Sequence, residues 1–119
     1  IFATGHLVWE AINAAETLEA EGISAEVIDI ATIKPLDEEA VIASAKKTGA
    51  VVCAEEHNTC GGLGELVAGV LAANAPTPME FINGADRFGQ SGTPAELMKV
   101  YGLDAAHIVE AAKKAVARK

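Results

Sequence analysis

The chain is poor in cysteine: it has only Cys53 and Cys60, and two thiols are too few for a disulfide framework. A disulfide-stapled domain is excluded, and the fold must rest on a hydrophobic core. Cys53 stands in the apolar run Val51-Val52-Cys53-Ala54, where a buried and inert thiol is expected. No apolar stretch approaches the roughly 18 residues of a membrane span, and none has the pattern of a secretory signal. With so few cysteines, the cytosol is the expected compartment. Basic residues gather only at the end, as Lys113, Lys114, Arg118 and Lys119. With a formal net charge of −8, the surface would repel a phosphate backbone, which argues against nucleic acid as a partner. The terminal cations fit the last turn of a helix, where the dipole favours positive charge. Repeats, low-complexity tracts and linkers are lacking too.

What is present suits one domain. The chain has 119 residues, half of them apolar, and a chain of this size buries roughly two thirds of its unfolded surface. Its first residue is Ile1, and Ile1-Phe2-Ala3-Thr4 reads like the tail of a strand. The expectation is a piece of a longer polypeptide, with residues 1–119 forming a single domain.

Apolar patterning alternates between short runs and helical stripes. Residues 1–4 read as a strand. A helix is expected over residues 6–21, with Val8, Ala11, Ile12, Ala15 and Leu18 on one stripe and Gly22 as its stop. Residues 25–30 form the second strand. Asp37 is a good N-cap for a helix with Glu38 and Glu39 in its first turn, closing at Gly49. The third strand, residues 50–55, is almost wholly apolar, as expected when both faces of a parallel sheet are covered. A helix over 63–73 and a strand over 78–83 follow. Thr93-Pro94-Ala95-Glu96 combines an N-cap, a first-position proline and the glutamate of a capping box. Asp104 caps a last helix that buries Ile108, Ala111, Ala112 and Ala115. Strand and helix alternating four times predict a three-layer α/β/α domain with a mainly parallel sheet. Right-handed crossovers favour the strand order 2-1-3-4.

In that order a ligand crevice would open beyond the carboxyl ends of strands one and three. The chain delivers there Thr4-Gly5-His6 and Glu55-Glu56-His57-Asn58-Thr59-Cys60-Gly61-Gly62. A dinucleotide site requires G-x-G-x-x-G after the first strand, where only Gly5 stands, and Gly62-Leu63-Gly64-Glu65 puts negative charge where a pyrophosphate would rest. Glu55, Glu56, His57 and Cys60 are metal-ligand types without metal-site spacing. His57 with Glu55 or Glu56 could shuttle a proton, but no nucleophile or oxyanion hole accompanies them, and Ser91 lacks the flanks of a nucleophile elbow. The preferred reading is a crevice that contacts other domains or a second subunit. Trp9 lies about 100° off the apolar stripe, beside Asn13 and Glu16. A tryptophan so placed suits an interface or lies flat over its own domain. The candidate crevice and interface residues are Gly5, His6, Trp9, Glu55, Glu56, His57, Gly61 and Gly62.

The order of motifs carries a resemblance. Ile33-Lys34-Pro35-Leu36-Asp37, then Val52-Cys53-Ala54-Glu55-Glu56-His57 and Gly61-Gly62-Leu63-Gly64-Glu65, resemble the Rossmann-like C-terminal domain of transketolases and their thiamine-diphosphate relatives. The run from Phe88 to Met98, followed by Tyr101-Gly102-Leu103-Asp104, resembles the ending of animal-type and of split, two-polypeptide transketolases. Similar elements occur in 1-deoxyxylulose-5-phosphate synthase and in the beta subunits of 2-oxo-acid dehydrogenases. The resemblance implies a cytoplasmic, dimeric transferase of the pentose phosphate pathway that moves a two-carbon ketol unit between sugar phosphates. It also implies that thiamine diphosphate and its Mg²⁺ are held by other domains, since no diphosphate motif, activating glutamate or sugar-phosphate ligand can be placed in these residues. No catalytic, cofactor-binding or metal-binding residue is carried over. The implied role is packing, with a crevice that is a candidate for regulation; the alternatives are the same domain of a 1-deoxyxylulose-5-phosphate synthase or of a 2-oxo-acid dehydrogenase beta subunit, and a stand-alone small-ligand regulatory module.

Overall fold

A computed structural model of the chain describes residues 1–5, 7–30, 36–55, 62–82 and 104–119. In order these form β1 (Phe2–Ala3), α1 (Leu7–Ala20), β2 (Ile28–Asp29), α2 (Glu38–Thr48), β3 (Val51–Ala54), α3 (Leu63–Asn74), β4 (Met79–Ile82) and α4 (Ala105–Ala117). The strands make one sheet in the order β2-β1-β3-β4, and every pairing is parallel. The α/β architecture and strand order expected from the sequence are those of the molecule. The expected capping-box helix, opening at Thr93 and closing at Gly102, lies outside the described residues.

Alternation along the strands splits the core into two. Ala3, Val52 and Ala54 face α1 and α4, meeting Leu7, Leu18 and Ile108. Phe2, Val51 and Cys53 face the other way, against Val41 of α2 and Leu63, Val67 and Leu71 of α3. All four residues of β3 are buried, which is why that segment is uninterruptedly apolar.

Helix boundaries follow local chemistry. Asp37 Oδ1 accepts from the Ala40 amide at 3.1 Å, and Asp104 Oδ1 from the His107 amide at 3.0 Å, so both predicted caps are made. Gly22, at φ +85, ends α1. The Gly22 amide donates to the Glu19 carbonyl and the Ile23 amide to the Leu18 carbonyl, the Schellman pattern.

Two expectations need correction. The buried stripe of α1 is Leu7, Ala11, Ala14 and Leu18, whereas Ile12 is 38% exposed and Ala15 only half-buried. An alanine-rich helix has an apolar arc wider than its contact, and packing against α4 as well as the sheet turns the Leu7–Ala14 side inward. The second strand is shorter than residues 25–30. Its ladder partner β1 has two residues, so pairing extends only from the Ile28 amide on the Ile1 carbonyl to the Ile30 amide on the Ala3 carbonyl, 2.9 Å each.

Among the described residues no helix is long and apolar enough to cross a membrane.

Candidate functional site

The crevice expected from the strand order lies where β1 and β3 deliver their carboxyl ends. β1 runs into Thr4, whose amide donates to the Ala54 carbonyl at 3.3 Å and so ties the two strands together at the edge. Gly5 follows at φ +56, a left-handed conformation that glycine adopts without steric cost. The first amides of α1 turn back on this segment: Leu7 donates to the Thr4 carbonyl and Val8 to the Gly5 carbonyl, 3.2 Å each. These are tight i→i+3 bonds that consume donors a helix start usually leaves free.

β3 runs into Glu55. This carboxylate is 2% exposed, and its backbone amide donates to the Ile82 carbonyl at 2.8 Å. Its side chain reaches the start of α3, where Oε2 accepts from the Leu63 amide at 2.7 Å and Oε1 from the Gly64 amide at 3.3 Å. The helix needs this, because its N-cap is Gly62, which offers no side-chain cap bond. Glu55 thus caps α3 from eight residues upstream, placing a negative charge at the positive end of the helix dipole. Buried carboxylates are tolerated when their oxygens are hydrogen-bonded in this way.

Beyond the cap, Gly64 is set by packing. A Cβ there would lie 2.6 Å from Cδ1 and 2.9 Å from Cε1 of Phe81, so the glycine lets α3 settle against β4. The Gly62-Leu63-Gly64-Glu65 turn, whose charge already argued against a pyrophosphate, serves helix–strand packing at Gly64. Burial pushes the neighbouring Cys53 thiol up to about 12, keeping it a protonated, unreactive core group as expected.

The structure therefore brings Gly5, Glu55 and Gly62 to one edge, with Glu55 committed to α3. His6, Glu56, His57 and Gly61 lie outside the described residues. Trp9 stands on α1 and is 71% exposed, so its ring does not lie flat over the domain. Sequence reasoning missed the cap. The signal was there: a helix opening after Gly61-Gly62 has no capping side chain of its own, and an acid, Glu55, ends an apolar strand eight residues before it.

Three cavities bounded by described residues lie away from this edge. One of about 300 Å³ sits at the amino ends of the strands, between Ile1, Ala50 and Ala115. A second, of about 580 Å³, opens between β4 and α4 beside Phe81 and His107. The third, of about 220 Å³, is a groove between α1 and the approach to β2, lined by Ile12, Ala15 and Val27. No group of three or more metal-ligating side chains occurs among the described residues.

Comparison with known proteins accords with this architecture. Residues 1–108 match the family described as "Transketolase, C-terminal domain". A 6-deoxy-6-sulfo-D-fructose transketolase subunit of Clostridium sp. (strain MSTE9) is 48% identical over 119 residues, all of this chain and 37% of that protein. A 1-deoxy-D-xylulose-5-phosphate synthase of Chlorobium luteolum is 39% identical over 115 residues, 96% of this chain and 18% of the synthase. Among solved structures, one described as a split gene transketolase, inactive beta4 tetramer, superposes with a TM-score of 0.94 at 47% identity, covering 98% of this chain and 38% of its own. The chain thus spans well under half the length of these relatives. By its family match, its sheet order and its solved neighbour, the chain belongs to the transketolase C-terminal domain family.

Proposed function

We propose that residues 1–119 are the C-terminal domain of the second polypeptide of a split transketolase. The enzyme transfers a two-carbon ketol unit between sugar phosphates on thiamine diphosphate and Mg²⁺ held by other domains. This domain supplies packing surface and stability, and no reacting group.

The observation that carries this reading is the state of the α1 and α3 starts, the described helix starts that flank the crevice between β1 and β3. Helix N-termini are the natural cradle for a diphosphate. Here the α1 amides close on the Thr4 and Gly5 carbonyls, and those of α3 close on the buried Glu55 carboxylate. A diphosphate at α3 would have to displace a carboxylate and leave it buried without partners, a cost of several kcal/mol. The described residues therefore do not fit the cofactor, and no chemical step is assigned to them.

The split form is supported by two relatives that are a "subunit" and a "split gene" product, each matched over more than a third of its length. The synthase is matched over 18%. That the solved neighbour is an inactive tetramer of one half alone agrees with chemistry that needs a second polypeptide. The test is reconstitution. The polypeptide containing this chain, given xylulose 5-phosphate, an aldose phosphate acceptor, thiamine diphosphate and Mg²⁺, is expected to be inactive alone and active once the complementary polypeptide is added. Turnover by the 119-residue chain alone would refute the assignment.

A further inference from the structure

The outer face of α1 leaves apolar side chains uncovered. Two of the large hydrophobic side chains that stay exposed, Trp9 at 71% and Ile12 at 38%, are three residues apart on this helix and therefore neighbours on its surface. Ile12 also lines the groove that runs to Ala25 and Val27 beside β2. β2 is an edge strand of the sheet among the described residues. Its Ile28 and Ile30 amides point to β1, so the intervening Asp29 presents its backbone groups outward, where another chain can pair.

Charge around this face has one sign. Glu16 and Glu19 flank the groove, Glu10 lies in the first turn of α1, and Asp29 is exposed on β2. Helix α1 carries no basic residue. The cations that approach are taken by other acids, Lys113 by Glu21 and Lys47 by Glu26. No described cation pairs with Glu10, Glu16, Glu19 or Asp29. An exposed tryptophan inside an acidic rim complements a protein surface with an apolar pocket bordered by lysine and arginine. A second copy of this chain is the wrong occupant, because a two-fold contact would set these acids against their own copies.

We propose that this face docks the domain onto the complementary polypeptide of the split enzyme. Trp9 and Ile12 enter an apolar pocket there, and Glu10, Glu16, Glu19 and Asp29 meet its basic rim. The inference rests on the split-enzyme reading above and names its contact surface.

The experiment uses the full polypeptide that contains this chain, mixed with its complementary polypeptide. Hydroxyl-radical footprinting, resolved by peptide, is expected to show Trp9 and Ile12 protected in the mixture and reactive without the partner. Trp9→Ala is expected to weaken association about 30-fold, as for a buried tryptophan anchor. The double substitution Glu16→Lys/Glu19→Lys is expected to weaken it about tenfold at low salt and to flatten its salt dependence. Both variants should keep the parent's melting temperature, since the altered side chains are exposed. Restored ketol transfer with Trp9 still fully reactive would overturn the docking surface and leave the split-enzyme reading standing. Tighter self-association on reversing the two glutamates would assign the face to a second copy and equally overturn the proposal. If no activity is restored by any complementary polypeptide, the reading itself falls and the docking surface with it.

Discussion

Replacing Glu55 by glutamine separates a structural carboxylate from a chemical one. The carboxylate accepts two backbone bonds at the start of α3, at 2.7 and 3.3 Å, while 2% exposed. Glutamine keeps the length but has one oxygen. If that oxygen takes the Leu63 amide, the NH₂ group points at the Gly64 amide, donor against donor. The change loses one bond, weakens the other from charge-assisted to neutral, and removes the charge at the helix dipole. Together these come to about 2 kcal/mol. An unfolding entropy near 2.1 cal/mol/K per residue makes that a fall of about 8 °C in melting temperature for this chain. Glu55→Ala strands both amides and opens a void, at about 3–4 kcal/mol. The assay is thermal and urea unfolding of the 119-residue chain, paired with activity per folded molecule in the reconstituted enzyme. The cap predicts lost stability with activity retained below the new melting point. A Glu55→Gln chain as stable as the parent but inactive in the assembly would refute the reasoning and return Glu55 to acid–base chemistry.

Three more outcomes follow from the same geometry. Gly64→Ala forces the Phe81 ring out of its seat, an overpacking cost of about 1–2 kcal/mol that Phe81→Ala should relieve in a double-mutant cycle of urea midpoints. Asp37→Ala removes the cap bond to Ala40 and should cost about 1 kcal/mol, read as a shift of the unfolding midpoint without change in slope. Cys53, pushed up to about 12 by burial from an ordinary 9.0, stays protonated in the folded state while the unfolded chain ionises. Stability from this group is therefore fully present below about pH 9 and declines between 9 and 12, by up to about 1.4 kcal/mol per pH unit. Unfolding free energies across that range check the sign, and a thiol reagent at pH 8 should label Cys53 only after denaturation.

Much of the architecture was written in local signals. Asp37 and Asp104 were legible as caps because a capping side chain acts on amides two or three residues away. The buried third strand was legible because only a strand covered on both faces can be apolar throughout. Which side of α1 turns inward was not, because Leu7, Ala11 and Ala14 are as apolar in sequence as Ala11, Ile12 and Ala15. The choice belongs to α4, a hundred residues downstream. At the site, sequence placed Glu55 at the right edge of the sheet but not in its role, since capping across eight residues depends on how the chain returns. The exposure of Trp9 was left open by the sequence, which allowed a ring lying flat over the domain as well as one facing outward, and the acidic rim around it needed β2 placed beside α1.

The central claim is that the α1 and α3 starts beside the crevice are satisfied from within the chain and so offer the cofactor no cradle. Calorimetric titration of thiamine diphosphate with Mg²⁺ into the folded 119-residue chain tests this most directly. No binding heat is expected up to millimolar cofactor; saturable binding at micromolar affinity, lost in Glu55→Gln, would contradict it.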